Sequence, residues 1–395
     1  MEQTEFIETY AIQRKHTNSL KWDALEERFG SADLLPLWVA DADFSVDYQV
    51  KADLIARIQH GAFGYSLSPK EYVQTYQAWQ NRHEGTQFQA TWLTFSPGVV
   101  QSLTDLIACF TTKGDQIAIQ PPVYYPFYHC IQDQGRVVVE APLVNQNGNY
   151  RIDFEQLEQL FQTQAIRLFI LCSPHNPVGR VWTKEELTHF FQLCQRYQVL
   201  VISDEIHSDL VVSSVKFVSA ITVAQELEFT ELIVCNSASK TFNLAGLLSS
   251  HIWIPDTTLA QQFADWSKIH RQTELSVLGQ VAAQSAYCHS DEWLAAFMAV
   301  VEANYEYVKQ TLLEHFPTIE ISPLEGTYLT WINLASVLNG QTVKTIVQDQ
   351  AKLAIDFGEW FGKGCQSYIR INLATTPQVI EQAMHQLVTT LKENQ

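Results

Sequence analysis

The sequence predicts an α/β fold with a mostly parallel central sheet flanked by helices. Two apolar runs, residues 168–172 and 199–203, each lead into polar residues, which is typical of buried parallel strands that deliver side chains at their carboxyl ends. Between these runs, Thr183 and Glu186 have the spacing of a helix capping box, and apolar residues follow at helical intervals. A right-handed crossover places both carboxyl ends at one edge of the sheet, where open α/β sheets bind ligands.

In chain order, the first segment with chemical character is residues 96–103, which predicts the start of a helix. Gly98 lets a phosphate group approach the backbone, and the amide end of a helix supplies hydrogen-bond donors for it. An ordinary helix start has the same pattern. The apolar face of this helix consists of Val99, Leu103, Leu106 and Ile107.

The next strand ends supply an aromatic ring, an amide, a carboxylate and an imidazole. These groups belong to Tyr124, Asn176, Asp204 and His207. Asp204 is the most informative of them, because a carboxylate is rarely buried without a partner. Each residue also has an ordinary explanation, namely packing, a turn, a helix N-cap and a structural histidine, respectively.

Lys240 follows a further apolar run, which begins at Leu232 and gives way to Ser237 and Ser239. A lysine amine forms a Schiff base with a carbonyl, and hydroxyls can hydrogen-bond a phosphate beside it. Pyridoxal phosphate carries both groups, so this junction predicts a site for that cofactor. The alternative is a surface lysine after a serine-rich turn, since short motifs match by accident.

Pyridoxal phosphate needs groups of the kinds found at the other strand ends. Its ring nitrogen must stay protonated while the ring withdraws electrons, and Asp204 is the candidate that maintains this proton. Tyr124 is a candidate to stack on the ring. Asn176 and His207 are candidate donors to the phenolate oxygen.

A lone arginine, Arg370, lies within an alternating strand near the C-terminus. The planar guanidinium binds a carboxylate through two hydrogen bonds, and amino-acid substrates carry a carboxylate. The pattern predicts a substrate-carboxylate site, with a solvated strand arginine as the alternative.

In this order, the motifs resemble the fold-type I pyridoxal-phosphate enzymes of the class I/II aminotransferase family. That resemblance implies a large cofactor-binding domain with a mostly parallel sheet and a smaller α+β domain. Within the family, the chain is similar to the MalY/PatB group of cystathionine β-lyases, also described as C-S lyases. The likeness extends from about residue 20 to residue 375, and its most specific phrases are residues 35–44, 60–65, 174–183 and 239–247.

The resemblance implies individual roles. Lys240, Asp204 and Tyr124 would be catalytic: Lys240 would bind the cofactor aldehyde and later act as general base, while the other two would contact the ring. Tyr65 would reach the phosphate of the neighbouring subunit, so that a homodimer shares its sites. The remaining cofactor-binding residues would be Gly98, Val99, Val100, Asn176, His207, Ser237 and Ser239. The substrate-binding residues would be Arg370, Asn176, Tyr65 and Trp38.

The resemblance also implies β-elimination from L-cystathionine or a related cysteine S-conjugate, with release of thiol, pyruvate and ammonia. Thiolate is a good leaving group because a thiol has a pKa of about 8.5. Leu248 stands where many family members have a phosphate-binding arginine, which favours the lyase. The alternatives are a class I/II aminotransferase and a regulatory protein that binds the cofactor and acts through a protein partner.

Composition limits the other possibilities. The formal net charge of −18 argues against nucleic acid or an anionic membrane surface as a partner. Seven cysteines with no CxxC pair indicate reduced thiols in a cytoplasmic protein. No apolar run has the length of a membrane span or of a signal-peptide core. No metal site is predicted, because Asp204, His207 and Asp209 lack a further ligand cluster.

The 395 residues are enough for two domains. Residues 46–286 are predicted to form the large domain, and residues 1–45 together with 287–395 the small domain. A long helix from Asp291 through Tyr307, and strands at residues 326–332 and 368–371, are predicted within the small domain.

Overall fold

The computed structural model describes residues 1–270 and 275–395. The helices are α1 Gln3–Tyr10, α2 Leu20–Asp23, α3 Leu25–Phe29, α4 Tyr48–His60, α5 Tyr72–Glu84, α6 Val99–Phe110, α7 Pro126–Gln132, α8 Phe154–Thr163, α9 Lys184–Tyr197, α10 Ala220–Glu226, α11 Ala238–Thr241, α12 Thr257–Ile269, α13 Val277–His289, α14 Asp291–His315 and α15 Pro377–Glu393. The strands are β1 Leu35–Pro36, β2 Leu93–Ser96, β3 Gln116–Ile119, β4 Val137–Glu140, β5 Val144–Gln146, β6 Asn149–Arg151, β7 Ile166–Cys172, β8 Leu200–Asp204, β9 Leu232–Asn236, β10 Ser250–Trp253, β11 Glu320–Ile321, β12 Leu329–Asn333, β13 Leu353–Ala354, β14 Asp356–Phe357 and β15 Tyr368–Asn372.

The central sheet has seven strands in the order β2-β10-β9-β8-β7-β3-β4. β10 is antiparallel to both of its neighbours, and the other neighbouring pairs are parallel. Six strands therefore point the same way, and their carboxyl ends share one edge of the sheet. This arrangement confirms the predicted α/β fold with a mostly parallel sheet.

Helices cover both faces of this sheet, as the apolar runs require. In β7, Leu168 and Ile170 belong to a buried cluster with residues of α6, α7 and α12, whereas Phe169 and Leu171 pack on the opposite face with residues of α8, α9 and α10. Apart from the exposed Arg167, every position of β7 is buried, so its sequence is almost continuously apolar instead of alternating. Buried polar side chains lie mostly at or near the strand ends, and His251 in β10 is an exception.

The predicted capping box at the start of α9 is confirmed. The Thr183 hydroxyl accepts a hydrogen bond from the Glu186 amide at 3.2 Å, and the Glu186 carboxylate accepts one from the Thr183 amide at 2.9 Å. Glu186 also pairs with Arg180 at 2.9 Å. These contacts fix the helix that connects β7 to β8.

A second, antiparallel sheet has the strand order β11-β12-β15-β14. The helix predicted from Asp291 is confirmed and extends to His315. The strand predicted over residues 326–332 begins only at Leu329, because Thr327 donates its amide to Leu210 instead of a strand neighbour. β1 pairs with β13, which attaches the N-terminal segment to the C-terminal part of the chain. The proposed bounds of the two domains stay a prediction.

Across residues 1–270 and 275–395, no helix has both the length and the apolar character that a membrane crossing needs.

Thr183→Ala is expected to lower the free energy of unfolding by about 1 kcal/mol, because α9 loses its N-cap acceptor. Urea denaturation followed by circular dichroism measures the change. Thr188→Ala in the same helix is the control, since its hydroxyl bonds only back to the Lys184 carbonyl at 2.7 Å, a bond that does not stabilise a helix. Equal losses in the two variants would contradict the role assigned to the capping box.

Candidate active site

A cavity of about 200 Å³ opens at the carboxyl edge of the central sheet. The strand ends meet there because the parallel strands share one direction. The predicted site residues that line this cavity are Gly98, Val99, Val100, Tyr124, Asn176, Asp204, His207, Ser237, Ser239 and Lys240. Arg370 does not line the cavity but bonds to Asn176, which does. Trp38 and Tyr65 do not line the cavity either.

One end of the cavity is formed by the start of α6. The first intrahelical hydrogen bond runs from the Ser102 amide to the Gly98 carbonyl at 2.8 Å. The amides of Val99, Val100 and Gln101 therefore have no partner inside the helix, and all three residues line the cavity. The backbone of Gly98 is extended, and a Cβ there would meet nothing within 4 Å. Glycine thus provides room for an anion beside these donors.

The two serines before Lys240 have different positions in the hydrogen-bond network. The Ser237 hydroxyl donates to the Ser249 carbonyl at 2.7 Å and accepts from the Ser239 amide at 3.0 Å, so it holds the turn that begins α11. The Ser239 hydroxyl lines the cavity, and within the described ranges no hydrogen bond engages it. Ser239 is therefore the hydroxyl that remains free to bind a ligand.

The Lys240 side chain reaches the cavity from α11 and is partly buried. Its Nζ donates to the carbonyl of Ala40 at 2.7 Å. Burial and, to a smaller extent, Arg370 lower the pKa of Lys240 to about 8, against the opposing effects of Asp41 and Asp204. An amine with this pKa is partly neutral near pH 7, so it can act as a nucleophile or a base.

Asp204 and His207 are both buried at the opposite side of the cavity. Burial raises the pKa of Asp204 to about 7, against the opposing effects of the Ile206 amide and Lys240. Burial lowers the pKa of His207 well below its ordinary value, and Lys240 and Arg370 add to this shift. The imidazole is therefore neutral, and its Nδ1 has no hydrogen-bond partner. A ligand that brings a cation to Asp204 and a polar atom to His207 would satisfy both groups.

Arg370 is 3% exposed, so the alternative of a solvated strand arginine is wrong. Its guanidinium donates to Asn176 Oδ1 at 2.9 Å and forms an ion pair with the buried Asp356. Because a guanidinium only donates, the Asn176 oxygen faces Arg370, and the Asn176 amide group remains as a donor for the cavity. Nε of Arg370 is buried without a partner.

Trp38 does not line the cavity. Its Nε1 donates to the Lys21 carbonyl at 2.9 Å, and its ring packs edge-on against Phe29 at a centroid distance of 5.2 Å. Trp38 is 6% exposed and belongs to a small core cluster with Leu25 and Leu34. This position gives it a packing role, and the structure does not support the prediction that it contacts the substrate.

Tyr65 is 100% exposed, so its side chain takes no part in the cavity of its own chain. Tyr124, in contrast, presents its ring to the cavity and packs edge-on against Phe127 at 5.7 Å. Burial raises the pKa of Tyr124, which keeps its phenol neutral.

Asp209, which was considered as a metal ligand, instead accepts hydrogen bonds from Trp79 and Thr241, each at 2.8 Å.

Sequence reasoning missed three groups around the site, namely the Ala40 carbonyl, Tyr328 and Asp356. Asp356 had a usable signal, since it follows the apolar run 353–355, which is the pattern that identified Asp204. A backbone carbonyl has no residue-type signal. Tyr328 is a buried aromatic residue in a strand-like segment, which alone predicts core packing.

Lys240 is expected to titrate near pH 8 in the cofactor-free protein, because burial disfavours its charged form. Its neutral fraction, and so its rate of modification by an amine reagent, rises as the pH increases through this value. Peptide mapping by mass spectrometry measures the rate, with Lys240→Ala identifying the peptide. A midpoint at about 10.4, the ordinary lysine value, would contradict the environment described here.

Comparison with known proteins agrees with this geometry. The profile of the family described as aminotransferase class I and II matches residues 43–387. Cystathionine beta-lyase PatB of Bacillus subtilis (strain 168) is 34% identical over 382 residues, which cover 96% of this chain and 98% of PatB. Protein MalY of Escherichia coli (strain K12) is 28% identical over 384 residues, with 96% and 97% coverage.

A solved structure agrees equally well. The pyridoxal-phosphate-bound C-S lyase from Staphylococcus hominis has a TM-score of 0.90 and 30% identity, over 96% of this chain and 97% of that one. The predicted fold type and cofactor are thereby confirmed, and the donors around the cavity fit the phosphate, ring and aldehyde of this cofactor. The chain belongs to the aminotransferase class I and II family, in the group that contains PatB and MalY, and is a pyridoxal 5'-phosphate-dependent enzyme.

Proposed function

We propose that this protein is a carbon-sulfur β-lyase that acts on L-cystathionine or a related cysteine S-conjugate. The observation that carries the proposal is the placement of the Lys240 amine and the Asp204 carboxyl in one cavity beside the unpartnered amides of α6. The names of PatB and of the Staphylococcus hominis enzyme support the reaction class. The products are a thiol, pyruvate and ammonia.

The residues at the cavity wall hold the cofactor in this proposal. The amides of α6 and the Ser239 hydroxyl bind the phosphate, and Tyr124 packs against the ring. Asp204 keeps a proton on the ring nitrogen, because a buried carboxyl with a pKa of about 7 gains from a cationic neighbour. The Asn176 amide group and His207 face the ring oxygen. When bound, the cofactor supplies an electron sink for the substrate α-carbon.

Lys240 is the proposed general base. With a substrate in the cavity, the neutral amine of Lys240 would be placed to remove the α-proton. The pKa of about 8 leaves part of the amine unprotonated near neutral pH, as this step requires. The hydrogen bond to Ala40 shows that the cavity wall can hold a free Lys240 amine at a defined place.

Arg370 is the proposed partner of the substrate carboxylate. Burial strengthens its attraction for an anion, and its Nε has no partner. Asp356 holds the guanidinium in place and offsets part of its charge. The guanidinium of Arg370, which would bind the substrate carboxylate, donates a hydrogen bond to Asn176. Asn176 lines the cavity and would lie beside the cofactor ring.

An aminotransferase is the second candidate, because it uses the same groups until the last proton transfer and the family contains such enzymes. Leu248, which lines the cavity and has no charge, favours the lyase. Among the described residues that line the cavity, Lys240 is the only lysine, and arginine is absent. In this proposal the phosphate therefore depends on amide and hydroxyl donors.

Purified protein given pyridoxal phosphate and L-cystathionine, without a 2-oxo acid, is expected to release pyruvate and thiol in equal amounts. Lys240→Ala should abolish both products, because it removes the base. Product assays measure the reaction, and circular dichroism verifies that the variant is folded. Turnover that requires a 2-oxo acid would instead establish the aminotransferase. Cofactor absorbance without turnover on either route would favour the regulatory alternative.

A homodimer with shared active sites is also part of the proposal. The segment between α4 and α5 exposes large apolar side chains, namely Phe63 at 54%, Tyr65 at 100% and Leu67 at 94%. Isolated chains rarely expose such a group together, and an interface would bury it. Tyr65 is then placed to reach the phosphate of the neighbouring subunit.

Mixing inactive Lys240→Ala with Tyr65→Ala protein, followed by subunit exchange, is expected to recover activity. Half of the dimers are then hybrid, and each hybrid has one of two sites intact, which gives about one quarter of wild-type activity. Leu67→Ala replaces Tyr65→Ala in the control, where dilution alone should halve the activity of the active parent. If Tyr65→Ala is fully active alone, or if mixing gives no gain, Tyr65 does not complete a neighbouring site.

A cytoplasmic location completes the proposal. All seven cysteines are free thiols, and five of them are buried, namely Cys130, Cys172, Cys194, Cys235 and Cys365. Unpaired thiols are typical of proteins kept in a reducing compartment.

A further inference from the structure

The carbonyl of Ala40, at the wall of the cavity, accepts two hydrogen bonds. Lys240 Nζ donates at 2.7 Å, and the Tyr328 hydroxyl donates at 2.9 Å. A carbonyl oxygen has two lone pairs, so both donors are accommodated together. The two donors differ in one respect, since the lysine amine takes part in cofactor chemistry and the tyrosine hydroxyl does not.

The backbone on each side of Ala40 is held from both ends of the site. Asn243, three residues after Lys240, bonds to Ala42 at 2.9 Å and to Phe44 at 3.0 Å. Asn372, two residues after Arg370, bonds to Val39 at 2.6 Å and to Asp41 at 2.7 Å. The carbonyl of Ala40 therefore has a fixed position relative to both Lys240 and Arg370.

Tyr328 is itself held rigidly. It is 1% exposed, and its ring packs edge-on against His207 at 6.0 Å and Phe297 at 5.9 Å. Burial raises the pKa of Tyr328, so its hydroxyl keeps its proton and remains a donor. The Tyr328 hydroxyl therefore already lies within hydrogen-bond distance of the Ala40 carbonyl.

We propose that Tyr328 is a positioning residue. Its hydroxyl donates to the Ala40 carbonyl at all times, whereas Lys240 donates to this carbonyl only while its amine is free of the cofactor. This inference rests on the proposed function of Lys240. When the cofactor engages the amine, Lys240 no longer donates to Ala40, and without Tyr328 this carbonyl at the cavity wall would have no side-chain donor. Tyr328 thus stabilises the cofactor-engaged enzyme and defines where the released amine returns.

Tyr328→Phe is the direct test, because it removes the hydroxyl and keeps the ring. We expect about tenfold weaker affinity for pyridoxal phosphate, as for the loss of one hydrogen bond to a partly buried carbonyl. Titration of cofactor-free protein with pyridoxal phosphate, followed by absorbance, measures this affinity. The pKa of Lys240 in cofactor-free protein should rise, since Ala40 then accepts from the lysine alone.

Tyr305→Phe is the matched control. Tyr305 is also buried, and its hydroxyl donates to a backbone carbonyl, that of Ser322, at 3.0 Å, but it does not line the cavity. This variant should change neither cofactor affinity nor the Lys240 titration. Thermal unfolding of both variants verifies that each is folded and reports the stability lost with either hydroxyl.

Two results would overturn the inference. One is unchanged cofactor affinity and Lys240 titration in Tyr328→Phe, and the other is an equal change of both in Tyr305→Phe, which would indicate a general structural effect. Neither measurement uses a substrate. A wild-type protein that binds the cofactor but cleaves no cysteine conjugate would refute the lyase function and leave this test valid.

Discussion

Burial of both faces of the central sheet is the constraint on which the rest of the structure depends. Because helices cover each face, the strands accept apolar side chains at nearly every position, as in β7. With few exceptions, such as His251 in β10, buried polar groups lie at or near the ends of these strands. The common direction of six of the seven strands then brings these ends to one edge. The same packing that stabilises the sheet thus creates its binding site.

Burial also determines the charge state of each group at this edge. It raises the pKa of Asp204, lowers the pKa of His207 and lowers the pKa of Lys240, so that His207 is neutral while Asp204 and Lys240 titrate close to neutral pH. Arg370 is different, because Asp356 compensates its charge within the protein. The site is therefore poised to take up a ligand that carries its own anion, cation and carbonyl group.

The N-terminal segment connects the two sheets through this site. β1 pairs with β13 beside the second sheet, while the backbone around Ala40 is bonded to Asn243 after α11 and to Asn372 at the end of β15. Lys240, in α11 just beyond the central sheet, and Arg370, in the second sheet, therefore both lie next to residues that bond to the same stretch of backbone. A shift of either sheet would move the amine relative to the carboxylate site.

The sequence alone was sufficient to predict the α/β class, the cofactor and most of the cavity wall, because those features depend on local patterns. An apolar run that leads to Asp204 or Lys240 predicts a buried strand and places that residue at the carboxyl edge of the sheet. This prediction needs no information on the neighbouring strands. The roles of the Ala40 carbonyl and Tyr328 depend on contacts between distant segments, which leave no periodic signal. Asp356 does follow an apolar run, but its pairing with Arg370 depends on the strand order of the second sheet. Trp38 illustrates the same dependence on tertiary contacts, since its motif lies close to the site while its indole packs in a separate core cluster. Side-chain direction at such positions depends on which surfaces pack together, and only the folded arrangement of both sheets specifies this.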